Sequence, residues 1–497
     1  MPAILESKLP LADTFSAEYL EYYRILPLEL AEGKLRVAVS GTPNAEALED
    51  LERSFHAPVE LIEVPAPELQ AAIRQLFSAA ESVVELVRDL GEGVAEIADA
   101  GDDGLADARD LANQPPVIRF VNLLIREAHD AQASDIHLEA TREGLRVRLR
   151  IDGVLTELPS PPRGLQAAVV SRIKLLAELD IAERRAPQDG RIRARFESRE
   201  LDLRVSTVPT LFGESVVLRL LDRGGRPVSL DELGMAPTTL DVFQRLATRA
   251  HGILLATGPT GSGKTTTLYA ALGLRDPAAE KIITVEDPVE YHLPGVTQVP
   301  VHSKAGVTFA AALRSILRQD PDVVMVGEMR DTETAGIAVQ AAMTGHLVFS
   351  TVHTNDAVSA LPRLIDLKVE SYLIAATVEG VLAQRLVRRI CPDCQERYRP
   401  DPQMVALLSA GPVGRVTLAR GHGCAACRGT GYRGRVGIYE LLTVTDPLRD
   451  ELMKGAGLSV LRRLARDNGM ATLREDGWHK VQAGITTVEE VLRVASD

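Results

Sequence analysis

Gly258-Pro259-Thr260-Gly261-Ser262-Gly263-Lys264-Thr265 is the stretch on which the reading of this chain turns. It follows Ile253-Leu254-Leu255-Ala256-Thr257, a continuous apolar run of strand length, and Thr266–Leu272 after it opens a helix. The glycines let the backbone curl so that successive N–H groups face one point, and the positive end of the helix dipole faces it too. Phosphate oxygens require that arrangement. Lys264 is placed to reach β- and γ-phosphates and Thr265 to set its hydroxyl on Mg2+. The expected nucleotide-binding set is therefore Gly258, Pro259, Thr260, Gly261, Ser262, Gly263, Lys264, Thr265 and Thr266, with ATP and Mg2+ as ligands.

Working outward, Gly252–Thr257, Lys281–Val285, Asp322–Val326 and Leu347–Thr351 are short apolar runs separated by helical patterns, which predicts a parallel sheet covered on both faces. Lys281–Val285 leads into Glu286-Asp287-Pro288-Val289-Glu290-Tyr291. Carboxylates at the C-terminal end of a parallel strand sit at the ligand rim, so Glu286 or Glu290 is expected to orient Mg2+ or the attacking water. Asp322–Val326 is followed by Gly327-Glu328, an apolar strand capped by an acid. Gly327 stands where many such loops carry Asp, which makes Glu328 the metal-side acid. Leu347–Thr351 is flanked by His346 and His353, and a histidine at a strand end can bond a γ-phosphate and report its loss. Arg314 and Arg318, one helical turn apart, are further candidates to line the site.

Upstream, Phe15 to Phe77 reads as a small α/β domain. Leu35, Val37 and Val39 alternate as a half-buried strand, Leu48, Leu51 and Phe55 mark one helix face, and Val59–Val64 forms a second strand. Glu81 to Asp110 carries ten acidic residues against two basic ones and reads as a solvated linker, in part helical, with Pro115-Pro116 restarting order. Leu145-Arg146-Val147-Arg148-Leu149-Arg150-Ile151 alternates with period two, as do Glu200–Arg204 and the segment around Arg219, giving an α+β domain with an arginine-rich sheet. The expected domains are thus 1–80, an acidic linker 81–114, an arginine-rich domain 115–226, the α/β core 227–388, a cysteine subdomain 389–436 and a helical segment 437–497.

The chain's four cysteines all fall in two CxxC knuckles, Cys391/Cys394 and Cys424/Cys427. Each knuckle turns both thiolates to one ion, and two complete a closed tetrahedral Zn2+ shell with a structural role. A redox dithiol is the alternative, although neither CxxC opens a helix after a strand.

A composition of 45% hydrophobic and 25% charged residues over 497 positions is that of a multidomain globular chain. No apolar run is long enough to span a bilayer, and the N-terminus shows no secretory signal, so the expectation is a cytoplasmic protein. A net charge of −13 with 4% aromatics argues against a surface that wraps nucleic acid.

These segments in this order, together with Ser134-Asp135-Ile136-His137-Leu138-Glu139, Arg150-Ile151-Asp152-Gly153 and Gly213-Glu214-Ser215-Val216-Val217, resemble the secretion ATPase superfamily of type II secretion and type IV pilus assembly. The match spans nearly everything after Pro116. The resemblance implies a RecA-like P-loop core preceded by a PAS-like α+β domain and a small N-terminal domain. It implies a homo-hexamer in which Arg204 and Arg219 reach a nucleotide held on the RecA-like half. It further implies an N-terminal domain docked on an inner-membrane platform protein, which would hold the chain at that membrane without a span of its own. The tetracysteine insertion is typical of the secretion and pilus-assembly branches. Some pilus-assembly members carry a cyclic-di-GMP module with an Arg-Leu-Gly repeat. That repeat is absent from residues 1–80, which favours the motor of a type II secretion system over a pilus-assembly ATPase. A DNA-translocating RecA-like motor stands behind both.

Overall fold

The computed structural model describes residues 17–78 apart from 32 and 56, the single positions 83, 86 and 87, residues 111–222 apart from 197 and 198, and residues 228–408 and 416–495. The chain divides into two units, Met1–Leu221 and Asp222–Asp497.

In the first unit, β1 (Ile25–Ala31), β2 (Lys34–Val39) and β3 (Val59–Glu63) form a small sheet, antiparallel between β1 and β2 and parallel between β2 and β3. Leu35 and Val37 are buried while Lys34 and Arg36 are exposed, which is the alternation expected for β2. A second sheet has the order β6-β5-β4-β9-β8-β7, built from β4 (Ala133–Thr141), β5 (Gly144–Ile151), β6 (Val154–Leu158), β7 (Gln188–Phe196), β8 (Arg199–Thr210) and β9 (Gly213–Asp222). Leu145, Val147 and Leu149 point into a core shared with Phe120, Val121 and Leu124 of the helix Pro115–Asp130 and Ile173 of the helix Gln166–Leu176. Pro115 and Pro116 occupy the first helical positions, where a missing N–H costs nothing. Val83 and Leu86 are buried in this same core. That corrects the solvated-linker reading at those positions: acidic composition hides two apolar anchors. The rest of 81–110 lies outside the described residues.

The second unit is built on a seven-stranded sheet. Its strands are β10 (Gly252–Thr257), β11 (Ile282–Glu286), β12 (Thr297–Pro300), β13 (Val323–Val326), β14 (Leu347–Val352), β15 (Val378–Ile390) and β18 (Tyr432–Thr443). The order is β12-β11-β13-β14-β10-β15-β18, parallel throughout except for the antiparallel pair β15–β18. Between those last two strands, β16 (Gln395–Tyr398) and β17 (Leu418–Gly421) form a separate antiparallel ribbon. The four anticipated strands lie within one residue of their expected limits. β18 crosses the expected 436/437 boundary, so residues 437–443 belong to the core sheet and the helices begin only at Asp446. Helices pack on both faces, with Leu313, Ala338 and Leu361 on one side and Phe243, Leu268 and Tyr269 on the other. Every residue of β10 is buried. The Gly258–Thr265 loop therefore leaves the C-terminal end of a central strand between β14 and β15, at the rim where parallel sheets bind ligands.

Candidate nucleotide site and cysteine centre

The loop has the conformation its glycines were chosen for. Gly258, Gly261 and Gly263 have φ of 147°, 78° and 86°, and Gly263 hands the chain directly to the helix Lys264–Leu272. A Cβ on Gly258 would lie 2.6 Å from the Gln384 carbonyl oxygen, and one on Gly263 would lie 2.8 Å from the Gln384 side-chain nitrogen. The Nζ of Lys264 donates to the carbonyls of Gly258 at 2.8 Å and Pro259 at 3.0 Å, curling over its own loop. Burial pushes its ammonium down to about 8, with Glu328 opposing the shift and Arg385 adding to it. The buried Ser262 Oγ has no hydrogen-bond partner among the described residues. An orphaned hydroxyl, a partly desolvated lysine and a cradle that excludes Cβ atoms fit a polyphosphate.

Glu328 follows β13 with its side chain only 12% exposed, ion-paired to Arg330 and 3.4 Å from His353 Nε2. Thr257 Oγ1 donates to the Val352 carbonyl at 3.1 Å and accepts the Thr354 N–H at 2.8 Å, which ties the turn bearing His353 to the strand beneath the phosphate-binding loop. Lys264, Glu328 and His353 thus share one rim.

The acidic segment divides into two roles. Glu286 is 2% exposed, and its carboxylate accepts hydrogen bonds from Tyr269 Oη, Thr284 Oγ1 (2.6 Å) and Gln298 Nε2 (3.2 Å). A carboxylate so enclosed is a strut. Glu290 is exposed, and its backbone N–H donates to Tyr269 Oη at 3.4 Å.

His346 and Arg318 are not brought to this rim. His346 precedes β14, at the opposite end of that strand from His353, where Nδ1 lies 2.8 Å from the Ala341 carbonyl and 3.1 Å from Thr344 Oγ1. The nucleotide-contact reading for His346 is therefore corrected: two histidines that bracket a strand stand at its two ends, and only one end is the rim. Arg314 is exposed and paired with Glu333. Arg318 bonds the Arg314 carbonyl and Ser315 Oγ, beside Gln319, whose carbonyl accepts from Lys281 at the start of β11, again away from the rim. Arg204 and Arg219 belong to the first unit. Arg204 is half-buried on β8 opposite Arg191, and Arg219 Nε donates to Asp135 Oδ1 at 2.8 Å. Burial would raise the Asp135 carboxyl, but its hydrogen bonds from Arg219 and Ser134 outweigh that and hold it below the usual range.

Tyr269, Gln298, Gln384 and Arg385 were not anticipated. Only Tyr269, inside the helix after the loop, carried a signal: a phenol on a buried helix face needs a partner for its hydroxyl.

The four cysteine sulfurs lie within 4.8 Å of one another. Cys391–Cys424 is 3.9 Å, Cys394–Cys427 3.8 Å and Cys424–Cys427 3.7 Å. Sulfurs at the corners of a tetrahedron with Zn–S of about 2.3 Å are about 3.8 Å apart, so the set fits Zn2+. Burial pushes the Cys427 thiol up, yet the N–H groups of Cys424 and Gly431, at 3.1 and 3.2 Å from its sulfur, bring it down to about 6. Burial pushes the Cys391 and Cys394 thiols up instead, so those two would shed their protons only on binding the metal.

Residues 110–493 match the family model described as type II/IV secretion system protein, and residues 2–83 match the MshEN domain. The chain is 46% identical over 492 residues to the type II secretion system protein E of Xanthomonas campestris pv. campestris, covering 98% of this chain and 86% of that one. It is 45% identical over 456 residues to the type II secretion system ATPase E of Vibrio cholerae serotype O1, covering 91% and 90%. The type IV pilus assembly ATPase PilB of Myxococcus xanthus is 42% identical over 481 residues, covering 96% and 85%. Among solved structures, the pilus retraction motor PilT with bound ADP aligns with a TM-score of 0.52 at 26% identity, over 75% of this chain and 96% of that one. No helix among the described residues is long and apolar enough to cross a membrane.

Proposed function

The chain belongs to the type II/IV secretion system protein family, and from that premise we propose that it is the ATP-hydrolysing motor of a type II secretion system, powering pseudopilus assembly and protein export across the outer membrane. The observation that carries the reading is the convergence of Lys264, Glu328 and His353 at the C-terminal rim beside β10. Lys264 and the loop N–H groups hold the phosphates, and Thr265 and Glu328 hold the Mg2+ that neutralises charge developing on them. Glu290, exposed on a braced segment, orients the attacking water. His353, beside Glu328, is placed to sense the terminal phosphate. Arg204 and Arg219 supply transition-state charge from the first unit, of the same or a neighbouring chain in a homo-hexamer, with Asp135 holding Arg219 in a fixed direction.

Cys391, Cys394, Cys424 and Cys427 hold a structural Zn2+ that fastens the ribbon β16–β17 to the core. Residues 1–80 dock on an inner-membrane platform protein and place the motor on the cytoplasmic face. The likeness to PilB keeps pilus assembly as the second reading. Cells in which the Lys264→Ala chain replaces the native one separate the two. The proposal expects folded export substrates to accumulate in the periplasm with surface pili unchanged. Loss of pili with export intact would establish the pilus reading instead.

A further inference from the structure

Among the polar residues of strand β15, Gln384 and Arg385 are 1% and 8% exposed. A polar group is buried at a cost unless it is bonded, and both are bonded around the phosphate-binding loop. Gln384 Oε1 accepts from Thr267 Oγ1 at 2.7 Å, on the helix that follows the loop. Arg385 packs against one loop and bonds another. Its Nη1 donates to the Gln384 carbonyl at 3.1 Å and packs against Gly258, where a Cβ would come within 3.0 Å of it. Its Nη2 donates to the Asn355 carbonyl at 2.8 Å, two residues beyond His353.

Among the described residues, no carboxylate lies within ion-pairing distance of this guanidinium. The acidic charges that act on it, Glu440 and Asp356, are bonded elsewhere. Glu440 accepts the Ala357 N–H at 2.8 Å, and Asp356 accepts Arg462 Nη2 at 2.7 Å. The turn that Arg385 grips is therefore also tied to β18 and, through Arg462, to the helix Leu458–Asp467.

We propose that Arg385 is a positioning residue for ATP hydrolysis: its planar guanidinium, bonded to β15 and wedged against Gly258 on one side and bonded to the Asn355 carbonyl on the other, sets the spacing between the phosphate-binding loop and the His353 turn, so that the terminal phosphate at Lys264 is registered at His353. The proposal rests on the nucleotide binding at Lys264. A lysine at 385 keeps the charge but presents a single ammonium in place of a flat two-pronged donor, and it does not hold two loops at one separation.

The test compares the full-length Arg385→Lys and Lys264→Ala chains with the native one, measuring kcat and KM for ATP, the affinities for ADP and for a non-hydrolysable ATP analogue, and the melting temperature. For Arg385→Lys the proposal expects kcat to fall by about 10- to 100-fold, ADP affinity to stay within about threefold, and the preference for the ATP analogue over ADP to be lost. Three results overturn it: native kcat and native ATP-over-ADP preference, with or without a lower melting temperature, which makes Arg385 a packing residue; equal loss of both nucleotides, which makes it a phosphate ligand; or failure to fold. Lys264→Ala reports separately on the premise, because nucleotide affinity that survives in that variant removes the binding site itself rather than the role of Arg385.

Discussion

The hydroxyl of Tyr269, on the helix that follows the phosphate-binding loop, donates a hydrogen bond to the buried carboxylate of Glu286 at the end of β11. Two strands, β13 and β14, separate β11 from β10, so this bond fastens the acidic segment to the nucleotide helix across the sheet. Burial first, and the hydrogen bond to Glu286 second, push the Tyr269 phenol well above its usual range, which keeps it a donor. The rings of Tyr269 and Tyr291 meet edge to face at 4.7 Å and brace the intervening turn. Glu290 is consequently presented to solvent from a segment fixed at both ends.

Tyr269→Phe removes one donor from a buried carboxylate and should cost about 1–3 kcal/mol of unfolding free energy. Because the turn bearing Glu290 loosens, kcat should fall with little change in KM. Denaturant titration and steady-state kinetics on one preparation check both. Native kcat in a destabilised variant would confine the bond to a stabilising role.

The two glutamates should separate by readout. Glu290→Gln removes the exposed carboxylate and should lower kcat by about 10²–10⁴-fold while leaving the denaturation midpoint unchanged. Glu286→Gln changes a buried strut and should shift the midpoint as well. An unchanged kcat in Glu290→Gln would move the base role to another acid at the rim, Glu328 first.

Lys264 gives a pH signature. Its pKa in the ligand-free fold is depressed to about 8, so between that value and the unfolded value near 10.5 the unfolded chain binds more protons. The ligand-free protein should therefore gain stability from this group as pH rises from about 8 towards 10.5. Phosphates favour the charged ammonium, so nucleotide binding near pH 8 should take up a proton. Calorimetry in buffers of different ionisation enthalpy measures that uptake, and Lys264→Met should abolish it.

The core strands β10, β11, β13 and β14 were legible because each is an unbroken apolar run, the mark of a strand buried on both faces. β15 was not, because Gln384, Arg385 and Arg388 interrupt it. They are tolerated in a buried strand by bonds to Thr267, Asn355 and Glu490, partners from 30 to 117 positions away. The phosphate-binding loop was legible because it is local. The division of labour between Glu286 and Glu290 was not, since pattern places both at the rim and only Tyr269 and Gln298 decide which carboxylate turns inward. His346 misled for a related reason: adjacency to a strand does not say which end.

Purified chain should carry about one zinc ion, and Cys391→Ser should lose it together with part of the thermal stability. Elemental analysis alongside a melting curve tests this. Metal content equal to that of the native chain would refute the tetrathiolate site.

The central claim is that Lys264 anchors an ATP-hydrolysing site. Steady-state phosphate release from the purified assembled protein, compared with that from Lys264→Ala, tests it most directly: turnover should fall to background in the variant, and equal turnover in the two would contradict the account.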